Sequence, residues 1–130
     1  MSKADFLSDP KNRAKTVKKF KATLVELKVD YLVAAQPRDI SLAAMIAHET
    51  KLPLSYLDND GTLTGESALW KSKSPALILD GIEDIGLVDK TVNEVKAGNG
   101  SMKYGLVNGK QSDSVMGELR TLGLTWRVVS

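Results

Sequence analysis

PALILDGIEDIG, residues 75–86, decides the fold. Ala76-Leu77-Ile78-Leu79 is an apolar run without polar alternation, so it reads as a strand covered on both faces, as in a parallel sheet. The run ends abruptly at Asp80-Gly81. Beyond it, Leu87, Val88, Thr91, Val92 and Val95 share one side of a helix from about 87 to 97, and Gly98-Asn99-Gly100 stops that helix. A buried strand followed by an amphipathic helix is half of a βαβ unit, so the neighbouring segments should supply more such units.

They do. Upstream, Tyr31-Leu32-Val33-Ala34-Ala35 is a second unalternated apolar run, broken at Gln36-Pro37-Arg38. A helix is predicted to begin near Asp39 or Ser41 and to run through Leu42, Ala43, Met45 and Ile46 to about Thr50. Residues 53–57 then read as a strand. Val17, Phe20, Leu24 and Leu27 recur at helical spacing, which predicts an amphipathic helix over about 10–28 with Asp9 as N-cap and Pro10 in the first turn. Downstream, residues 103–107 form a strand, Asn108-Gly109 turns, and Val115, Met116, Leu119 and Leu122 mark a last helix ended by Gly123. Trp126 to Val129 closes the chain as a fifth strand. The predicted fold is α/β: a single doubly wound domain over 1–130 with a five-stranded parallel sheet, right-handed crossovers and flanking helices. Residues 1–9 form an N-terminal arm, and residues 58–74 an irregular segment opened by the turn Asp58-Asn59-Asp60-Gly61.

Composition narrows the chemistry. The 130 residues are 42% hydrophobic and 26% charged, ordinary for a globular domain of this length. The sequence contains no cysteine and one histidine, His48, which excludes disulfides, thiolate metal sites and zinc sites built on several imidazoles. Residues 1–7 lack an apolar core of signal-peptide length, and no run approaches a membrane span, so a cytoplasmic protein is expected. The net charge of +2 is unevenly spread. Residues 1–28 carry eight Lys/Arg against three Asp/Glu, a net of +5, and the remainder carries ten against thirteen, a net of −3. Lys11, Lys15, Lys18 and Lys19 fall on the helix face opposite the apolar groups, with Arg13 and Lys21 near them. Such a stripe suits the phosphates of nucleic acid or an acidic partner, although a solvated face is about twice as common an explanation.

In doubly wound sheets ligands bind beyond the carboxyl ends of the strands where strand order reverses. The loops 36–39, 58–65 and 80–86 are therefore the places to look.

The stretch DYLVAAQPRDISLAAMIAHETKLPLSYL, residues 30–57, together with PALILDGIEDIGLVDKTVNEVKAGNG, residues 75–100, and the closing strand–helix–strand, resembles the type I phosphoribosyltransferases, the orotate enzymes above all. The resemblance covers residues 12–130 and lies in pattern more than in identities. It implies a pyrophosphate loop at 35–38, a hood over the site at 58–74, and a signature of two acids and a Thr/Gly-rich phosphate loop after the strand 76–79. In that family the acids grip the ribose hydroxyls of phosphoribosyl pyrophosphate, and backbone N–H groups at a helix N-terminus hold its 5′-phosphate. Here Asp80 matches the first acid, Gly81 replaces the second, Asp84 and Ile85 stand at the threonine positions, and Gly86 remains. In a second register Glu83-Asp84 match the acid pair. The resemblance thus implies a phosphoribosyltransferase-like protein with a degenerate motif, acting as a binding or regulatory protein for a nucleotide- or ribose-phosphate-related ligand. Arg38, Asp80, Glu83, Asp84 and Gly86 are its candidate ligand contacts, and Asp80 and Asp84 its candidates for Mg. The alternatives are a reduced, active orotate-type enzyme using Arg38, Asp80 and Glu83 with Mg, and a nucleic-acid-binding module acting through Lys11, Lys15, Lys18 and Lys19. A homodimer is the family's implication for assembly.

Other features have plainer explanations. Asp58-Asn59-Asp60-Gly61 lacks the downstream glutamate of a calcium loop and reads as a turn. Asp84 suits an N-cap as well as a metal ligand. His48 sits at the C-terminal end of its helix, where a capping role is expected. Trp70 and Trp126 are expected as core or interface anchors, and Lys71 and Lys73 match no motif position.

Overall fold

The unalternated apolar runs become the central strands of one sheet. The computed structural model describes residues 9–58, 60–65, 73–98 and 102–130. In chain order the elements are α1 (Pro10–Leu27), β1 (Tyr31–Ala34), α2 (Pro37–Thr50), β2 (Leu54–Leu57), β3 (Leu63–Gly65), β4 (Pro75–Leu79), α3 (Ile85–Ala97), β5 (Tyr104–Asn108), α4 (Asp113–Arg120) and β6 (Thr125–Val129). The sheet runs β3-β2-β1-β4-β5-β6. Every pairing is parallel except β2 with β3, which is antiparallel.

Side chains alternate across each strand, and both faces are covered, which is why the central runs show no polar positions. Leu32, Ala34, Ala76, Ile78 and Leu106 face Val17, Phe20 and Leu24 of α1 and Leu42, Ala43 and Ile46 of α2. Tyr31, Val33, Leu77, Leu79 and Val107 face Val88, Val92 and Val95 of α3 and Leu119 of α4. Helices α1 and α2 therefore form one layer, and α3 and α4 the other.

Three expectations are corrected. The sheet has six strands and is not wholly parallel, because Leu63–Gly65, inside the segment expected to be irregular, returns antiparallel along β2. The turn between them is held by Asp58, whose Oδ1 accepts from Asp60 N and Thr62 N and whose Oδ2 accepts from Thr64 Oγ1. The Thr62 and Thr64 hydrogen bonds also lower the Asp58 pKa. Second, α2 begins at Pro37, so Gln36-Pro37-Arg38 is a cap and first turn and not a break. Proline's fixed φ suits the first helical position, where its missing N–H costs nothing. Third, α3 begins at Ile85, two residues before its apolar periodicity, because Asp84 caps it. The Asp9 cap of α1 is as expected, with Oδ1 accepting from Lys11 N and Asn12 N. Residues 1–8 of the expected arm, together with Trp70 and Lys71, lie outside the described residues.

Candidate crevice at the strand-order reversal

The chain runs leftward from β1 to β2 and β3, then resumes at β4 on the other side of β1. The carboxyl ends of β1 and β4 therefore diverge into the crevice where doubly wound sheets place ligands. Residues 36–39 enter it from β1 and residues 80–86 from β4. A hollow of about 500 Å³ lies there, lined by Gln36, Pro37, Arg38, Glu83, Asp84 and Leu87.

The floor of this crevice is a closed set of hydrogen bonds centred on Gln36, which is 1% exposed. Its Oε1 accepts from Glu83 N at 2.7 Å and from Asp84 N at 2.8 Å. Its Nε2 donates to both carboxylate oxygens of Asp39, at 3.1 and 3.0 Å, and to the Gly81 carbonyl at 3.1 Å. Asp39, 0% exposed, also accepts from Gln36 N through Oδ2 and from Asp80 N through Oδ1 at 2.7 Å. Two side chains of the first βα turn thus satisfy three backbone N–H groups of the second, those of Asp80, Glu83 and Asp84. A buried polar group is tolerated only when so paired. Burial pushes the Asp39 carboxyl up to about 6, with the hydrogen bonds from Asp80 and Gln36 pulling it down and the nearby Asp80 charge adding to the rise.

The next amides are taken as well. Asp84 Oδ1 accepts from Gly86 N at 3.0 Å and Leu87 N at 3.4 Å, the usual geometry of an N-cap. Four N–H groups that could cradle an anion at this helix start, those of residues 83, 84, 86 and 87, therefore already have acceptors from the chain itself.

The expected site residues converge, in altered roles. Arg38 lies in the first turn of α2, with Nη1 3.8 Å from Glu83 Oε2. Its guanidinium lies over Gly81, where φ is +83° and a Cβ would come to 3.4 Å of Nη2. Arg38 Nε is buried and has no hydrogen-bond partner among the described residues. Asp80 is 7% exposed and its Oδ1 accepts from Asn108 Nδ2 at 2.9 Å. Gly86 contributes only its N–H. Of the two magnesium candidates, Asp80 Oδ1 accepts from Asn108 and Asp84 Oδ1 accepts from its own helix start. Among the described residues no three metal-ligating side chains come together. Gln36 and Asp39 bound a loop that the sequence marks as a place for ligands, but neither they nor Asn108 carry an expected role there. The available signal was Gln36…Asp39 at capping-box spacing before an apolar-periodic helix.

The lysine stripe is separate from this crevice. Lys11, Lys15, Lys18 and Lys19 are all exposed along α1. No described helix is long and apolar enough to cross a membrane.

No protein-family model matches the chain, and no curated protein matches it by sequence. Solved structures do match by fold. Leishmania donovani UMP synthase superposes with a TM-score of 0.80 at 15% identity, over 98% of this chain and 29% of that one. Orotate phosphoribosyltransferase from Aeropyrum pernix gives a TM-score of 0.76 at 12% identity, over 95% of this chain and 72% of that one. Adenine phosphoribosyltransferase from Rhodothermus marinus gives 0.65 at 13%, over 94% and 80%. The chain spans less than a third of the UMP synthase it matches.

Proposed function

We propose that this chain, whose fold is that of the type I phosphoribosyltransferases, is a non-catalytic binding or regulatory protein whose sugar-phosphate cradle is filled from within. One observation carries the reading: Gln36 Oε1 and Asp84 Oδ1 together occupy the N–H groups of residues 83, 84, 86 and 87. In the resembling enzymes amides of this turn receive the 5′-phosphate. A phosphate dianion arriving here must displace Gln36 and lie against the Asp84 carboxylate. Like charges at 4 Å repel by about 1 kcal/mol in water and about 4 kcal/mol at an effective dielectric of 20, so the site opposes the group that the fold elsewhere binds. The ribose grip is reduced too: Gly81 follows Asp80, and Asp80 is already bonded to Asn108.

Arg38 remains as an anion contact. Its guanidinium, on a side chain 23% exposed at the edge of the 500 Å³ hollow, supports a small ligand of nucleotide or ribose-phosphate type, held without being turned over. The test combines turnover with binding. With phosphoribosyl pyrophosphate, magnesium and orotate or a purine base, pyrophosphate release should not rise above the protein-free rate. Sustained release would establish the reduced, active enzyme instead, with Arg38, Asp80 and Glu83 as its contacts. Ribose 5-phosphate should raise the melting temperature of the parent chain and not of Arg38→Ala. Equal behaviour of the two chains removes the ligand from the crevice.

A further inference from the structure

A second hollow, of about 690 Å³, lies between α1 and α2. Its floor is Ala14 and Val17 from α1 with Ala44 and Met45 from α2. The small side chains at 14 and 44 leave space between the two helices. The α1 face that borders the hollow continues past it: Ala14, Lys18, Lys21 and Val25 are spaced i, i+4, i+7 and i+11 and so share one face. Val25 is 67% exposed, one of two large apolar side chains left open to solvent among the described residues. From Ala14 to Val25 the face measures roughly 16 Å at 1.5 Å per residue, three helical turns.

The rim is cationic. Arg13, Lys18 and Lys21 border the hollow from α1, against the single acid among its lining residues, Glu49 of α2. That charge selects among occupants. A second copy packed symmetrically on this face would set the same cations against each other. A nucleic-acid backbone would use the cations and leave the apolar floor idle, and Lys11, Lys15 and Lys19 lie outside the hollow. A helix with an apolar stripe and acidic flanks uses both features.

We propose that the α1–α2 hollow docks an acidic amphipathic helix of a partner protein. Apolar side chains at i, i+3 or i+4, and i+7 seat on Ala14, Ala44, Met45 and Val25, with Asp or Glu on the flanks facing Lys18 and Lys21. The inference does not depend on the crevice reading, since the two hollows share no lining residue.

The probe is a lactam-bridged 16-residue helical peptide with leucine at those spacings and glutamate flanks, labelled for fluorescence anisotropy. Its comparators are the same peptide with lysine flanks and a 20-base-pair DNA duplex. The acidic peptide should bind saturably and at least tenfold more tightly than the lysine peptide. The double variant Lys18→Glu/Lys21→Glu should weaken it at least tenfold, as should Ala44→Trp, which fills the hollow. Lys11→Glu/Lys19→Glu, which changes the net charge equally away from the hollow, should alter it less than twofold. Circular dichroism checks that each variant is folded. Absent binding, equal losses in both double variants, or tighter binding of the duplex would overturn the proposal. So would a dimer in sedimentation that Lys18→Glu/Lys21→Glu dissolves, since the occupant would then be a second copy.

Discussion

Replacing Gln36 by alanine removes five hydrogen bonds at once. The N–H groups of Glu83 and Asp84 lose their acceptor at the edge of an open hollow, where water can partly replace it, so each costs about 1 kcal/mol. The buried Asp39 carboxylate loses the amide spanning both its oxygens, a charge-assisted contact worth about 1.5–3 kcal/mol. The total is a loss of about 3–5 kcal/mol, a melting temperature lower by roughly 10–20 °C for a chain of this length. The assay is thermal unfolding by circular dichroism, with and without inorganic phosphate. Phosphate should stabilise the parent chain only weakly, through Arg38 alone. In Gln36→Ala two N–H groups are vacant, and phosphate at about ten times its dissociation constant should restore about 1.4 kcal/mol. A Gln36→Ala chain within 1 °C of the parent, or a parent chain that gains as much from phosphate as the variant, would refute the internally filled cradle.

Three further outcomes are expected. Asp39, about 3.9 when unfolded and about 6 when folded, makes its contribution in full below about pH 4 and loses it as pH rises through 6. The loss is about 3 kcal/mol, and the difference in urea stability between the parent and Asp39→Asn should change over that window and stay flat above pH 7. Gly105→Ala should cost about 1–3 kcal/mol and alter tryptophan fluorescence, because a Cβ there would clash with the Trp126 ring across the β5–β6 pair. Tyr31→Phe should be neutral or stabilising by about 1 kcal/mol in chemical denaturation. The Tyr31 hydroxyl is buried with no partner among the described residues, and burial pushes its pKa up to about 12.

The layers of this fold were legible because both-face burial leaves a direct trace. Tyr31 to Ala34 and Ala76 to Leu79 carry no polar residue, and Val88, Val92 and Val95 keep strict helical spacing. Strand β3 left no such trace, since Leu63-Thr64-Gly65 is too short for a period. Its pairing is fixed by the bonds Asp58 makes across the turn. The crevice was legible in place and not in content. Asp80 and Asp84 announce themselves as acids after a buried strand, but whether a carboxylate meets a ligand or caps its own helix depends on rotation about two side-chain bonds. Gln36 was hidden for a related reason. A neutral amide at the end of an apolar run looks like the start of a loop, and only the arrival of residues 80–84 from across the sheet makes it a buried hub.

That hub also bears on the order of assembly. Gln36 and Asp39 reach partners 41 to 48 positions away in the sequence, and those contacts exist only after the β1–α2 and β4–α3 halves have met. Closing so long a chain segment is entropically uphill until both units stand side by side. The stitching is therefore expected to form with or after the β1–β4 pairing, and bonds that form after the transition state act chiefly as a latch that slows unzipping.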